Sequence, residues 1–191
     1  MRLKNTKSSY GAVAKCFHWL MAILIIGLII IGFVMTDMQG SPDKFRLYGL
    51  HKSVGASILL LVLLRLIWKY KNISPELPDS LDSWQKLGAK ANHWVLYGLM
   101  IAMPLSGWAM SSAAGFSVSV FGWFTLPDIV SADRELFLLF RQAHETIGYL
   151  IIITVLLHIT AALLHHFYYG DNILSRMLPS FKKGSDEKSA D

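Results

Sequence analysis

The chain has 191 residues, of which 53% are hydrophobic and only 16% charged, and a mean hydropathy of +0.43, too apolar for an ordinary soluble domain. A net charge of +5 would suit nucleic acid, but the Lys and Arg residues flank apolar runs instead of forming one basic face. That pattern excludes nucleic acid and makes membrane lipid the expected surroundings. The single cysteine, Cys16, excludes an intramolecular disulfide, and without a C-x-x-C-H stretch any haem would be held without thioether bonds.

The first apolar run, Phe17 to Thr36, carries no Asp, Glu, Lys or Arg, and about 20 residues at the helical rise cross the roughly 30 Å hydrocarbon layer. It predicts a spanning helix over about residues 15–36. The basic start at Arg2, Lys4 and Lys7 also fits a signal peptide, but the run is long and lacks a small-residue cleavage site, so it is expected to stay as a span. A second helix is expected over about 48–70, with Arg65 near its end reaching the headgroups and Lys69 and Lys71 marking water. After a loop from Pro75 to Pro78, a third is expected over about 90–112, with Pro104 as a kink. Phe116 to Pro127 is apolar but short, and reads as an interfacial loop at headgroup level. The fourth helix, about 136–169, is longer than the bilayer requires. Residues 1–180 thus read as a single transmembrane domain and 181–191 as a polar tail.

With four spans both termini share one side, and that side holds 13 of the 18 Lys and Arg residues. Because basic loops are retained in the cytoplasm, the expected fold is an all-α, integral membrane four-helix bundle with cytoplasmic N and C termini.

His18, His51, His93, His144 and His158 all fall at or inside these spans. A lone intramembrane histidine is commonly a hydrogen-bonded polar residue between helices; the arrangement here points further. His144 and His158 are 14 residues apart, about 40° short of four full turns and about 21 Å in rise, so they share a face at two depths. The first helix runs outward from His18 and the second inward from His51. Matching depths pairs His18 with His158 on the inner side and His51 with His144 on the outer side. Two facing pairs suit bis-imidazole ligation of two irons. Gly55 and Gly148 each follow an outer histidine by four residues and would give a porphyrin clearance, though small residues also recur wherever membrane helices pack closely. No short-range cluster of the kind zinc prefers occurs, and no Walker-type loop, dinucleotide motif or nucleophile elbow.

Four stretches carry a family resemblance: Phe17-His18-Trp19-Leu20, His51 with Gly55, HETIGYLIIITVLLH from His144 to His158, and HHFYYGDNILSRMLP from His165 to Pro179. Across roughly residues 10–180 the chain resembles the bacterial cytochrome b561 family of four-helix di-haem cytochromes, which includes superoxide oxidase; the fourth-helix block is the specific part. The resemblance implies two haem b groups with His18, His51, His144 and His158 as axial ligands, a quinone as a bound redox partner, and a multi-pass place in the bacterial cytoplasmic (inner) membrane. His93 and His165 are the residues expected to line a quinone pocket beside the inner haem, since histidine offers a carbonyl both a hydrogen bond and a proton. On the outer side Arg46, Lys52 and Arg141 could steer an anion such as superoxide, although Asp43, Asp133 and Glu135 weaken that field.

The expected function is therefore an oxidoreductase passing electrons between an outer donor, superoxide or a redox partner protein, and a quinone near the cytoplasmic side. Two alternatives stay open at this point: a haem-bearing anchor subunit relaying electrons for a separate dehydrogenase or hydrogenase, and a non-redox small transporter.

Overall fold

A computed structural model describes residues 2–78 and 81–179; the expected tail at 181–191 lies outside them. Four long helices, α1 (Ala12–Asp37), α2 (Pro42–Tyr70), α3 (Ser83–Ala113) and α4 (Arg134–Phe167), are each long and apolar enough to cross a membrane. A two-stranded hairpin, β1 (Ser119–Val120) and β2 (Phe124–Thr125), joins α3 to α4, and a short helix, α5 (Ile173–Met177), follows. The helices alternate in direction, so one end of the bundle carries α5 and the residues before α1, and the other the hairpin. We refer to these as the termini end and the hairpin end.

Local chemistry sets the helix bounds. Ser41 accepts the Lys44 amide and Pro42 occupies the first helical turn, where its missing N–H is no loss, so α2 starts six residues before the expected 48. Asp82 opens α3 well before residue 90, its backbone N–H donating to Gln85 Oε1 at 2.9 Å. Asp133 caps α4 through the Leu136 amide at 2.8 Å. At the other end α4 stops at Phe167, short of the expected 169, where Gly170 takes a φ of 67°. α3 runs unbroken through Pro104.

The helices do not pack evenly. α1 packs along α2, α2 along α3 and α3 along α4, whereas α4 does not lie closely along α1 or α2. The buried core follows: Met21, Ile58, Val62, Tyr97 and Met100 come from α1, α2 and α3, and α4 buries only Ile151. Large apolar side chains elsewhere on the helices are exposed, as a bundle solvated by lipid requires.

Both ends are tied by hydrogen bonds, beside buried Leu81 at one end and Val118 and Val120 at the other. At the termini end the Glu76 amide donates to Lys7 O at 2.9 Å, Lys15 Nζ to Leu178 O at 2.7 Å and Trp19 Nε1 to Met177 O at 3.0 Å. At the hairpin end the stretch expected to form an interfacial loop contains a pinned hairpin. Ser53 Oγ donates to Ser119 O at 2.9 Å and accepts the Phe121 amide at 3.0 Å. Phe121 is held there at a φ of 51°, a left-handed conformation that a bulky residue rarely adopts. Replacing Ser53 with Ala leaves that amide without its partner. Hydrogen exchange followed by mass spectrometry in detergent should show the 117–125 segment exchanging at least about tenfold faster in Ser53→Ala. Unchanged exchange would mean that the hairpin is held by other contacts.

Candidate functional site

The space between α4 and the α1–α2 pair is bridged by histidines. From α2 and α4 at the hairpin end, the rings of His51 and His144 have centroids 6.3 Å apart with planes at 72°. From α1 and α4 at the termini end, His18 and His158 stand 6.1 Å apart at 55°. Each pair therefore joins helices whose backbones do not pack together. Two imidazoles bonded to opposite sides of one metal ion, with metal–nitrogen bonds of about 2 Å, place their ring centres about 6 Å apart. Both pairs have that separation, so they are donor sets that would suit a haem iron.

Neighbouring groups orient these rings. His144 Nδ1 lies 3.1 Å from Met103 O and 3.0 Å from Ser106 Oγ. Donation to the carbonyl puts the proton on Nδ1 and leaves the Nε2 lone pair free for a metal. His51 Nδ1 is buried and has no partner among the described residues. Two glycines fix the approach of neighbouring helices: a Cβ on Gly32 would stand 3.6 Å from His51 Cε1, and one on Gly107 would stand 2.9 Å from His144 Cε1. Gly55 and Gly148 behave differently from these two. A Cβ on Gly55 would meet nothing within 4 Å, and one on Gly148 would touch only Met103 Cε at 3.5 Å.

At the termini end the cluster is larger and charged. His93, from α3, has its ring 5.4 Å from that of His158. Arg65 does not reach outward to the headgroups as its position suggested. Its guanidinium turns inward, with Nη2 3.3 Å from His18 Nδ1 and the group 5.5 Å from the Tyr97 ring centre. One turn on, Lys69 Nζ sits 4.5 Å from the Trp94 ring centre and 4.8 Å from that of Tyr97. Burial, with Tyr97 beside it, lifts the Tyr10 phenol above its ordinary pKa while Arg65 and Arg176 oppose the shift. Tyr10 therefore stays neutral and supplies no counter-charge.

His165 is not part of this cluster of rings. Its Nδ1 pairs with Asp171 Oδ2 at 2.7 Å, both side chains largely buried, and Asp171 Oδ1 accepts the Ile173 amide at 3.0 Å. The three basic residues considered for anion steering occupy separate settings. Arg46 lies 4.0 Å from Asp43 in an exposed pair, Lys52 Nζ is tied to Ser111 Oγ at 3.2 Å, and Arg141 is exposed on α4.

Sequence reasoning passed over Arg65, Gly107 and Asp171. For Arg65 a signal existed: it follows His51 by 14 residues, the same spacing that separates His144 from His158, and so occupies the corresponding face of α2. Gly107 touches His144 only across a helix–helix contact, and one strand of sequence holds no trace of that.

The model of the family described as prokaryotic cytochrome b561 matches residues 9–180. The chain belongs to that family. It is similar to "Cytochrome b561 homolog 2" of Escherichia coli (strain K12), 33% identical over 180 residues that cover 93% of this chain and 95% of the relative. It is also similar to "Probable superoxide oxidase CybB" of Yersinia pestis, 29% identical over 178 residues, 92% and 98% of the two chains. Membership implies haem b, and with four membrane-length apolar helices it makes the chain a multi-pass electron-transfer cytochrome of the bacterial inner membrane.

Gly107 gives a direct check on the His144 setting. Gly107→Ala puts a methyl against the imidazole, and overpacking of this kind costs about 1–3 kcal/mol. Haem loss to an apo-globin acceptor should be at least about tenfold faster in Gly107→Ala than in Gly40→Ala, whose added Cβ meets nothing within 4 Å. Equal rates would mean that His144 does not carry haem in this geometry.

Proposed function

We propose that this cytochrome holds two haem b groups, one between His18 and His158 and one between His51 and His144, and passes electrons one at a time between a donor at the hairpin end and a quinone at the termini end. The observation that carries this reading is the pair of facing imidazoles, 6.1 and 6.3 Å apart, at two depths of one gap. Haem, when bound, supplies the one-electron carriage that no side chain here provides. The chain's own residues supply the rest.

The excess of Lys and Arg at the termini end supports a cytoplasmic location for that end and an outer location for the hairpin. The name of the Yersinia relative supports superoxide as donor. The setting of Lys52 restrains the steering idea, because its amine is engaged by Ser111 Oγ and Ser117 O, which leaves Arg141 as the more open cation. For the quinone, His93 is the better supported of the two histidines, since it stands against His158 and can donate to a carbonyl close to the haem ligand. His165, oriented by Asp171, suits proton supply to that site more than contact with the ring.

The test is purified protein in detergent. A dithionite-reduced minus oxidised spectrum with pyridine-haemochrome quantitation should give two haem b per chain. Enzymatically generated superoxide should then drive reduction of a ubiquinone analogue. His93→Gln should keep both haems and slow quinol formation at least about tenfold, the scale of a lost general acid or hydrogen-bond donor. Two haems with no superoxide-driven reduction would remove superoxide as donor, and a His93→Gln rate equal to that of the parent would remove His93 from the quinone site.

A further inference from the structure

Resting on the two-haem reading, we infer that Arg65, with Lys69, makes the termini end of the cytochrome the electron sink and so sets the direction of electron flow from the hairpin end to the termini end. The two histidine pairs are alike in separation but not in surroundings. Arg65 Nη2 lies 3.3 Å from the ring nitrogen of His18, the nitrogen turned away from a metal held at Nε2, and Lys69 follows one turn along α2. An Arg cannot accept a hydrogen bond and does not lose its proton, so beside an imidazole held through Nε2, whose proton sits on Nδ1, it acts as a fixed positive charge and not as a hydrogen-bond partner. Among the described residues no carboxylate lies in salt-bridge range of Arg65 or Lys69; the pairs present are Lys7–Glu76, Arg46–Asp43 and His165–Asp171. The neighbours of the two cations are the aromatic faces of Tyr97 and Trp94 and the neutral phenol of Tyr10.

At the hairpin end the ligands have no such partner. His144 donates to a neutral carbonyl, which makes its other nitrogen a stronger electron donor to the metal and favours the oxidised state. His51 Nδ1 is buried and has no hydrogen-bond partner among the described residues. Of the cations near in sequence, Lys52 points its amine to α3 and the hairpin, at Ser111 Oγ and Ser117 O, and Arg46 and Arg141 are exposed.

A fixed positive charge favours the reduced iron, which carries one positive charge fewer than the oxidised iron. With haem bound at both pairs, one electron shared between them would leave the iron held by His51 and His144, oxidising it, and reduce the iron held by His18 and His158; no bond would break and no proton would move. Arg65 acts through the ligand and the local potential, so it is a positioning residue. Charge interactions at this range and an effective dielectric of about 20 are large enough to shift that partition at least tenfold.

The experiment is a spectroelectrochemical redox titration of the holoprotein, preceded by pyridine-haemochrome quantitation. His51→Ala, keeping only the termini-end haem, assigns the two components. The termini-end component should have the higher potential in the parent. Arg65→Met should lower that component at least about tenfold in electron partition, about 59 mV for one electron, and move the other by less than half of this. Arg65→Lys should restore most of the shift, because it keeps the charge and loses the guanidinium geometry. Should Arg65→Met shed the termini-end haem, Lys69→Gln decides, with a drop of about threefold expected at the same component. An unmoved termini-end component, equal shifts in both, or a higher potential at the hairpin end would overturn the inference. A parent protein with fewer than two haems would overturn the two-haem reading itself, and the inference with it.

Discussion

A neutral imidazole offers a metal one lone pair, so holding an iron between two of them requires two helices to stay apart by a set distance while their side chains meet. On the proposed reading, that requirement organises this bundle. α1, α2 and α3 pack into a core built on Met21, Ile58, Val62, Tyr97 and Met100, and α4 attaches through α3 and contributes almost nothing to that core. In a soluble protein such a loosely packed helix would be poorly held. In lipid the apolar outer faces carry no hydrophobic penalty, and attachment depends on close contact at small residues and on hydrogen bonds. Gly107 against His144, and His144 against Met103 O, provide both at one point. The contact that fastens α4 is thus the contact that orients a proposed ligand.

The ends of the bundle follow from the same constraint. A gap lined with imidazoles would admit water from either end unless something covered it. The hairpin is drawn down onto α2 by Ser53, two residues beyond His51, and the strain of Phe121 at positive φ is offset by the hydrogen bond its amide makes there. At the termini end the residues before α1, the α2–α3 connection and the segment after α4 are tied together through Lys7, Glu76, Trp19 and Lys15. The charges differ between the two ends, and two similar ligand pairs thereby come to sit in different electrostatic settings.

Much of this was legible in the sequence, and the omissions have physical causes. Hydropathy located the four helices because the bilayer core demands about 20 apolar residues for each span. It misjudged where α2 and α3 begin, since hydropathy registers depth in the membrane while a helix continues into water as far as its caps allow. The Ser41-Pro42 start and the Asp82-Gln85 box were present to be read, but lay among charged residues that looked like loop. The histidine faces came from helical arithmetic, which is reliable within one helix. What crosses between helices was not accessible that way: the inward turn of Arg65, the contact of Gly107 and the pairing of His165 with Asp171 depend on rotation and tilt that no periodicity encodes.

The central claim is that histidines from different helices share an iron in a stated pairing, and haem stoichiometry in double variants tests it most directly. If His51 and His144 hold the same haem, replacing both with Ala costs no more than replacing either, and the double variant keeps one haem b per chain. Replacing His51 and His18 together, which on this account serve different irons, removes both. A His51→Ala, His144→Ala protein without haem, beside single variants that each keep one, would contradict the pairing.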